Sequence, residues 1–161
     1  MLLGVVSDTH GSVPNTRCAV RMLESLKVAG VLHCGDIGSS EIVAMFSAWP
    51  THFVFGNVDY DRAALRETIV AAGQTCHEQF GDLQLADREI AFLHGDDSRR
   101  LDQTIRDGRW QLVCHGHTHV PRCERFGGTL VLNPGAIFRA NPHTIAVVDL
   151  AKMKATIIPL D

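Results

Sequence analysis

Short polar motifs stand along this chain at the ends of apolar, β-type stretches. In order, they are Ser7-Asp8-Thr9-His10-Gly11, His33-Cys34-Gly35-Asp36, Gly56-Asn57-Val58-Asp59, His94-Gly95, His115-Gly116-His117-Thr118-His119 and Asn133-Pro134-Gly135. Asp, His and Asn side chains are oxygen and nitrogen donors that suit divalent first-row metal ions. Several such groups delivered by separate loops are what a two-metal hydrolytic centre requires. The pattern therefore predicts a fold in which the strand ends converge on one metal site.

Length and charge limit the classes of protein that this chain can belong to. It has 161 residues, 45% of them hydrophobic, and a formal net charge of -3. A chain of this length buries about 70% of the surface that its unfolded form would expose, so we expect one domain over residues 1–161. The charge argues against a broad footprint for duplex nucleic acid, which rests on many Lys and Arg contacts with phosphates. A single phosphoester could still be attracted to metal cations.

The first residues of the chain provide an indication of where in the cell the protein is located. Met1 to Val6 is apolar, lacks a basic leader and runs straight into Asp8, so it is predicted to be a buried strand rather than a signal peptide. No stretch approaches the roughly 20 apolar residues that cross a bilayer. We expect a cytoplasmic protein that does not enter the membrane.

The cysteines are odd in number and have no C-x-x-C spacing, which argues against both a disulfide framework and a zinc ribbon. We interpret them as small core residues: Cys18, Cys34, Cys76, Cys114 and Cys123. Cys34 lies two residues before Asp36, so a position close to the metals is open for it.

Strands and helices are predicted to alternate in the first third of the chain. The predicted elements are strand Leu2–Ser7, helix Asn15–Ala29 ended by Gly30, strand Val31–Cys34, helix Glu41–Trp49 ended by Pro50, strand His52–Phe55 and a short helix Tyr60–Arg66. A βαβαβ order of this kind predicts parallel pairing.

The remaining chain is predicted to be mainly antiparallel. Its predicted elements are strands around Leu83–Leu85 and Glu89–Leu93 with a turn at Asp87-Arg88, helix Leu101–Asp107, strand Gln111–Cys114, a hairpin of Cys123–Phe126 and Thr129–Leu132 around Gly127-Gly128, and a final pair Thr144–Leu150 and Ala155–Leu160. The two halves together predict an α+β fold: a four-layer αββα sandwich of two mixed β-sheets flanked by helices.

The spacing and number of the candidate ligands support the prediction of a metal site. Asp8 and His10 are one residue apart, which in extended backbone places both side chains on the same side, and His117 and His119 repeat this spacing. Singly, each motif has an ordinary alternative as a turn, a cap or a hydrogen-bonded structural histidine. The full predicted ligand set is Asp8, His10, Asp36, Asn57, His94, His117 and His119.

Other polar residues flank this set. His33 and His115 could orient ligands by hydrogen bonds. The remaining imidazoles, His52, His77 and His143, are expected to be structural or exposed. Arg62, Arg99 and Arg100 follow metal motifs and could contact a substrate phosphate, although solvated surface arginines are the simpler interpretation.

The ordered set D-x-H, G-D, G-N-x-D, H and G-H-x-H, within residues 7 to 135, resembles that of the calcineurin-like metallophosphoesterase superfamily. The compact length is similar to the small bacterial and archaeal phosphodiesterase branch. The resemblance implies one metal held by Asp8, His10, Asp36 and His119. It implies a second metal held by Asp36, Asn57, His94 and His117, with Asp36 bridging.

Three positions depart from the family pattern. Larger members read G-N-H after the third strand, and that histidine is thought to protonate the leaving group. Val58 stands there in this chain, as in the small branch, which excludes general-acid help from this position. The small branch often has His-Gly-His where this chain has His94-Gly95-Asp96, and Ala136 follows Asn-Pro-Gly where Ser or Glu is common. We therefore expect substrates with a good leaving group, or a proton from Asp59, Asp96 or solvent.

The function predicted from these residues is metal-dependent hydrolysis of phosphodiesters, with a metal-bound hydroxide as the nucleophile. Manganese is the first choice of ion, and Fe, Ni and Zn are the alternatives. The predicted partner is a small phosphoester, and exposed edge strands could support a homodimer. A phosphomonoesterase of the same fold and a non-catalytic scaffold similar to a retromer subunit stay open as alternatives.

Overall fold

Strands and helices alternate in the first part of the computed structural model, which describes residues 1–160. The elements are β1 Leu2–Val6, α1 Val13–Ser25, β2 Gly30–His33, α2 Ser40–Met45, β3 Thr51–Phe53, α3 Arg62–Ala71 and β4 Thr75–Cys76. The four strands pair in parallel in the order β1-β2-β3-β4. The predicted βαβαβ opening is confirmed, and the structure adds β4, a two-residue strand that sequence patterning did not predict.

The rest of the chain completes this first sheet and builds a second one. The elements are β5 Phe80–Leu85, β6 Arg88–Leu93, α4 Ser98–Asp107, β7 Leu112–Cys114, β8 Arg122–Phe126, β9 Thr129–Asn133, β10 Thr144–Asp149 and β11 Lys154–Pro159. The second sheet has the order β5-β6-β7-β9-β8, whereas β10 and β11 return to the first sheet beside β1. Both sheets are therefore mixed.

The prediction of an antiparallel second half is wrong for the centre of the second sheet. β6, β7 and β9 are parallel, and only the edge strands β5 and β8 are antiparallel to their neighbours. The reason is that α4 returns the chain from β6 to β7 as a crossover connection, which parallel strands need. The turn between β5 and β6 falls at Ala86 and Asp87, whose φ angles of 48° and 59° suit a tight hairpin.

Three apolar cores hold four layers together. Helices α1 to α3 pack on the outer face of the first sheet through side chains such as Leu23 and Phe46. The inner faces of the two sheets meet through side chains such as Leu32 and Phe92, and α4 covers the second sheet around Ile105. The predicted four-layer αββα sandwich is confirmed. Within residues 1–160, no helix has the length and apolar character needed to span a membrane.

Two helices end earlier than predicted. α1 ends at Ser25 because Lys27 takes a left-handed φ of 54°, and Gly30 opens β2 instead of capping the helix. α2 ends at Met45, well before Pro50. α3 differs in the other direction and continues beyond its predicted end to Ala71. Periodicity located these helices, but local backbone turns set their ends.

The cysteines divide into core and surface positions. Cys34 and Cys114 are fully buried between the sheets, as expected of small core residues. Cys76 is half-buried, whereas Cys18 on α1 and Cys123 on β8 are exposed, so the core interpretation is wrong for these two. For Cys123 the reason is that every residue of β8 is exposed.

Candidate metal centre

The loops after the central strands of both sheets meet at one end of the sandwich. Asp8 and His10 follow β1, Asp36 follows β2, Asn57 follows β3, His94 follows β6, and His117 and His119 follow β7. Ligand sites in sheets with parallel strands form where the carboxyl ends of those strands meet. The structure brings all seven predicted side chains into one cluster.

One half of the cluster consists of Asp8, His10 and His119. The His119 Nε2 atom lies 3.1 Å from Asp8 Oδ1 and 3.3 Å from His10 Nε2. The distance from His10 Nε2 to Asp8 Oδ1 is 3.7 Å. One atom from each of the three side chains lies within 4.8 Å of the others, a spacing that allows them to hold one metal ion.

The other half consists of Asn57, His94 and His117. The Asn57 Oδ1 atom lies 3.0 Å from His94 Nε2 and 3.1 Å from His117 Nδ1. Asn57 and His117 are exposed, whereas His94 is buried. This half is therefore the side of the cluster that is open to solvent.

The Asp36 carboxylate lies between the two halves. Its Oδ2 atom is 3.3 Å from His94 Nε2 and 3.7 Å from His10 Nε2. Its Oδ1 atom accepts a hydrogen bond of 3.0 Å from the Val58 N–H. The Asp36 carboxylate therefore lies within 4 Å of an imidazole nitrogen of each half.

Backbone carbonyls set the orientation of two imidazoles. His94 Nδ1 lies 2.8 Å from the Cys34 carbonyl oxygen, and His119 Nδ1 lies 3.2 Å from the Arg139 carbonyl oxygen. Only a protonated Nδ1 can donate to a carbonyl, so in the neutral ring the Nε2 lone pair faces the cluster. A hydrogen bond at the far nitrogen is the usual arrangement for a metal-binding histidine.

Left-handed backbone is concentrated in the cluster. Five of the seven residues have positive φ angles: Asp8 (57°), His10 (45°), Asp36 (54°), His117 (70°) and His119 (58°). Non-glycine residues rarely adopt this region, and such strain persists where surrounding contacts over-determine it. Here the Asp8 N–H donates to the Gly35 carbonyl and the His10 N–H donates to the Asp36 carbonyl, at 3.0 and 2.9 Å. These bonds tie the first two loops to each other.

Glycines make room for the carboxylates. A methyl group at Gly56 would overlap the Asp36 carboxylate, and one at Gly116 would overlap the side chains of Ser7 and Asp8. The missing side chains at these motif positions let neighbouring backbone approach the acidic groups closely. The glycines of G-N-x-D and G-H-x-H thus allow close packing around the acidic side chains.

A Gly56→Ala substitution is expected to weaken metal binding by about tenfold or more, the range found when groups that support metal ligands are changed. The added methyl would displace Asp36, which is buried and has little room to move. The measurement is a calorimetric titration of the metal-free protein with Mn²⁺. Gly128→Ala is the matched control, since a methyl there meets nothing within 4 Å. Equal affinities for the two variants would contradict the packing role assigned to Gly56.

A divalent metal ion fits the donor set. Asp8 Oδ1 is buried and has no hydrogen-bond partner within residues 1–160, although two imidazole nitrogens face it. An unpaired buried carboxylate oxygen is costly unless a cation compensates it. The donors are carboxylate, amide and imidazole groups without thiolate, which suits Mn, Fe, Ni or Zn.

The pKa shifts of Asp36 and His94 also indicate that a cation is favoured beside the Asp36 carboxylate. Burial alone would raise the pKa of Asp36, but hydrogen bonds from His94 and the Val58 N–H bring it below its ordinary value. Burial alone would lower the pKa of His94, but the bond to Asp36 and the charge of Asp36 bring it above its ordinary value. Asp36 thus favours a positive charge beside it, and a metal ion would take the place of the proton on His94.

Asp59 supports the site from behind. It is buried, and its carboxylate accepts hydrogen bonds from the N–H groups of Ile37, Gly38 and Gly56, at 3.2, 2.9 and 2.8 Å. These groups lie in the loops that carry Asp36 and Asn57. Asp59 therefore fixes those two loops relative to each other.

The two flanking histidines of the sequence prediction are buried and neutral. His33 Nε2 lies 3.0 Å from the Thr9 hydroxyl, and His115 Nδ1 lies 3.2 Å from the Gly116 carbonyl. Burial lowers the pKa of His33 to about 3 and that of His115 to about 4. His33 acts on the site through Thr9, whose hydroxyl donates to the Ile37 carbonyl at 2.9 Å. No direct bond from either ring to a predicted ligand side chain is present within residues 1–160.

Asn133 explains the Asn-Pro-Gly motif. Its side-chain amide donates to the Gly116 carbonyl at 2.9 Å and to the Thr118 hydroxyl at 3.0 Å. Its side-chain carbonyl accepts the Gly135 N–H at 2.9 Å. Asn133 thus holds the loop that carries His117 and His119.

The other imidazoles lie outside the cluster, as predicted. His52 and His77 contact each other at 2.9 Å, and His143 lies 3.2 Å from Asn15. Arg62 packs back on its own loop, with bonds of 3.3 Å to the carbonyls of Asp59 and Gly56.

A small polar cavity of about 70 Å³ lies beside His94 and is lined in part by Asp96 and Arg100. The Arg100 guanidinium stands over the Phe80 ring at 4.7 Å.

Two positioning residues were missed from the sequence. Thr9 stands between Asp8 and His10, whose left-handed φ angles show that the extended backbone expected for this motif is wrong, so strand alternation does not locate the Thr9 hydroxyl. Arg139 has no local signal, because its carbonyl meets His119 only after the chain has folded.

Comparison with known proteins identifies the family and the fold of the chain. A family model described as the calcineurin-like phosphoesterase superfamily domain matches residues 1–153. A phosphodiesterase of Methanocaldococcus jannaschii is 29% identical over 100% of both chains. The solved structure of an archaeal phosphodiesterase has a TM-score of 0.92 and 28% identity, and the alignment covers 99% of each chain. Vacuolar Protein Sorting 29 from Cryptosporidium parvum has a TM-score of 0.68 at 22% identity, covering 98% of this chain and 95% of that one, which shows the shared fold alone.

Proposed function

Because this chain belongs to the calcineurin-like phosphoesterase superfamily, we propose that it hydrolyses phosphodiesters at a dinuclear metal centre. The observation that carries the proposal is the position of the Asp36 carboxylate, 3.3 Å from a histidine of one half-cluster and 3.7 Å from a histidine of the other. The name of the M. jannaschii relative supports diesters as the substrate class. In this proposal the chain is a metallophosphoesterase of the small phosphodiesterase branch.

Each half of the cluster would hold one ion. Asp8, His10 and His119 would hold the first, and Asn57, His94 and His117 would hold the second. Asp36 would bridge the two. Asn57 adds an oxygen without adding negative charge, which keeps the second ion electrophilic.

The two ions would supply activation of water and neutralisation of the phosphate oxygens. The chain's own part is to hold the donor atoms in place before the substrate arrives. The left-handed loops and their cross-bonds fix the carboxylates, and the carbonyls of Cys34 and Arg139 fix two imidazoles. The substrate would enter on the solvent side, past Asn57 and His117.

The leaving group needs a proton that Val58 cannot give. Asp59 is also excluded, because its carboxylate is buried and both of its oxygens already accept backbone N–H bonds, so neither is available to a substrate. Asp96 is exposed and lines the cavity beside His94. We therefore assign the proton to Asp96 or to solvent, and expect substrates with good leaving groups to be favoured.

Restoring metal to the metal-free protein tests the function. We expect at least one of Mn²⁺, Fe²⁺, Ni²⁺ and Zn²⁺ to restore hydrolysis of bis-p-nitrophenyl phosphate, with Mn²⁺ as the first choice. The measurement is release of p-nitrophenol after chelation and addition of each ion separately. p-Nitrophenyl phosphate at the same concentration distinguishes a diesterase from a monoesterase.

The outcomes separate the alternatives. Faster hydrolysis of the monoester would favour a phosphomonoesterase. No turnover with any ion would exclude the enzymatic function, and bound metal together with a stable protein partner in pull-down experiments would then support a scaffold. Cytoplasmic location and a homodimer stay predictions, which cell fractionation and light scattering would test.

A further inference from the structure

The Arg139 guanidinium lies beside the metal centre without a carboxylate partner. Arg139 is exposed, and within residues 1–160 no Asp or Glu oxygen lies within 4.0 Å of its side-chain nitrogens. Its described side-chain contact is with the face of the Phe138 ring, at 5.6 Å. An arginine in this state has all of its N–H donors available for a ligand.

The other arginines near the site are engaged differently. Arg62 donates to two backbone carbonyls of its own loop, at 3.3 Å each. Arg100 stands over Phe80, and Arg122 is paired with Glu124. Arg139 is the one among these four that combines a free guanidinium with a backbone bond to a predicted ligand.

Backbone bonds fix Arg139 to the metal loops. The N–H groups of Ile137 and Phe138 donate to the carbonyls of Ser7 and Asp8, each at 3.1 Å. The Arg139 carbonyl accepts the His119 Nδ1–H at 3.2 Å. Arg139 itself has a left-handed φ of 56°. The segment is thus held against two of the ligand loops.

The Phe138 ring lies beside both the Arg139 guanidinium and the His10 imidazole. The Phe138 ring lies 6.3 Å from the His10 ring and 5.6 Å from the guanidinium, measured to ring centroids. The Arg139 backbone contacts one predicted ligand, His119, and its guanidinium packs on a ring that lies beside another, His10. Both contacts place the residue at the edge of the same half of the site.

We propose that the Arg139 guanidinium binds a non-bridging oxygen of the substrate phosphate on the His10 side of the metal centre. The inference rests on the proposed phosphoesterase function and adds a specific substrate contact to it. The planar guanidinium matches phosphate geometry and can donate two parallel hydrogen bonds, and the Phe138 ring holds it in place. Charge developing on the phosphate during hydrolysis would strengthen the contact.

Arg139→Ala tests the proposal, with Arg21→Ala as the matched control. Arg21 is an exposed arginine of α1 with no described contact among residues 1–160. Three quantities are measured on the metal-loaded proteins: KM and kcat for bis-p-nitrophenyl phosphate, and the calorimetric affinity for inorganic phosphate. We expect Arg139→Ala to raise KM and weaken phosphate binding by about tenfold or more, as for loss of a charge-assisted hydrogen bond.

Metal content is the readout that separates substrate binding from a structural role. The carbonyl that orients His119 remains in every variant, so metal content should equal that of the wild type. Arg139→Lys keeps the charge but loses the paired donors, and its phosphate affinity should fall between those of the wild type and Arg139→Ala.

Phosphate affinities of Arg139→Ala and Arg21→Ala within twofold of each other would overturn the inference, as would loss of metal from Arg139→Ala. These results would leave the function standing as long as the wild type turns over. An inactive wild type would instead count against the function itself.

Discussion

Replacing Asp36 with asparagine is expected to lower kcat by more than about a hundredfold, since metal ions contribute several kcal/mol of charge stabilisation to hydrolysis. Asparagine keeps the shape of the side chain and can still accept the Val58 N–H bond. It loses the negative charge that lies between His10 and His94. The measurement is kcat for bis-p-nitrophenyl phosphate with saturating Mn²⁺, together with metal content by mass spectrometry.

Asp102→Asn is the control for this experiment. Asp102 is an exposed carboxylate of α4 that pairs with Arg106 at 2.8 Å, away from the seven ligands. It should keep the turnover and metal content of the wild type. If Asp36→Asn also keeps two bound ions and comes within threefold of the control in kcat, the bridging role of Asp36 is wrong.

Replacing Asp59 with alanine is expected to reduce the free energy of unfolding by about 3 kcal/mol or more, because buried donors left without a partner cost about 1–3 kcal/mol each. Three backbone N–H groups lose their acceptor in this variant. Typical domains have only about 5–15 kcal/mol to lose, so the effect is large. Urea unfolding of the metal-free protein measures it, so that changes in metal affinity do not enter.

Two further variants, Asp59→Asn and Asp102→Ala, serve as references for the loss of unfolding free energy. Asparagine keeps one oxygen acceptor and should cost less than alanine. Asp102→Ala removes an exposed ion pair, which contributes about 1 kcal/mol at most. A loss for Asp59→Ala no larger than that for Asp102→Ala would show that the two loops hold their positions without this carboxylate.

The candidate ligands were predictable because their signal is local. Asp8, Asp36 and His94 each follow a strand directly, and the carboxyl ends of parallel strands meet at one edge of a sheet. The residues that support them were harder to predict. Asp59 accepts hydrogen bonds from Ile37 and Gly38, more than twenty residues earlier, and Arg139 meets His119 across 20 residues. Such contacts depend on how the loops pack, which motif spacing does not encode.

For the fold, too, local features were predictable from the sequence and long-range features were not. Alternating patterns located the strands and predicted four layers, and the hairpin at Gly127-Gly128 was found from its turn residues. The parallel centre of the second sheet was not found, since a buried strand has the same apolar pattern in either direction. Cys18 and Cys123 are exposed because Cys18 lies on the outer face of α1 and Cys123 lies on the exposed edge strand β8, which composition alone does not indicate.

The ligands divide between the two sheets. Asp8, His10, Asp36 and Asn57 extend from the first sheet, and His94, His117 and His119 extend from the second. Below the site the sheets meet through apolar side chains, which resist separation but have no preferred direction. Ions shared across this boundary would act as a removable cross-link at one end of the sandwich. Loss of the ions would remove that cross-link, so the metal-free protein would be less stable at this end of the sandwich than the metal-loaded one.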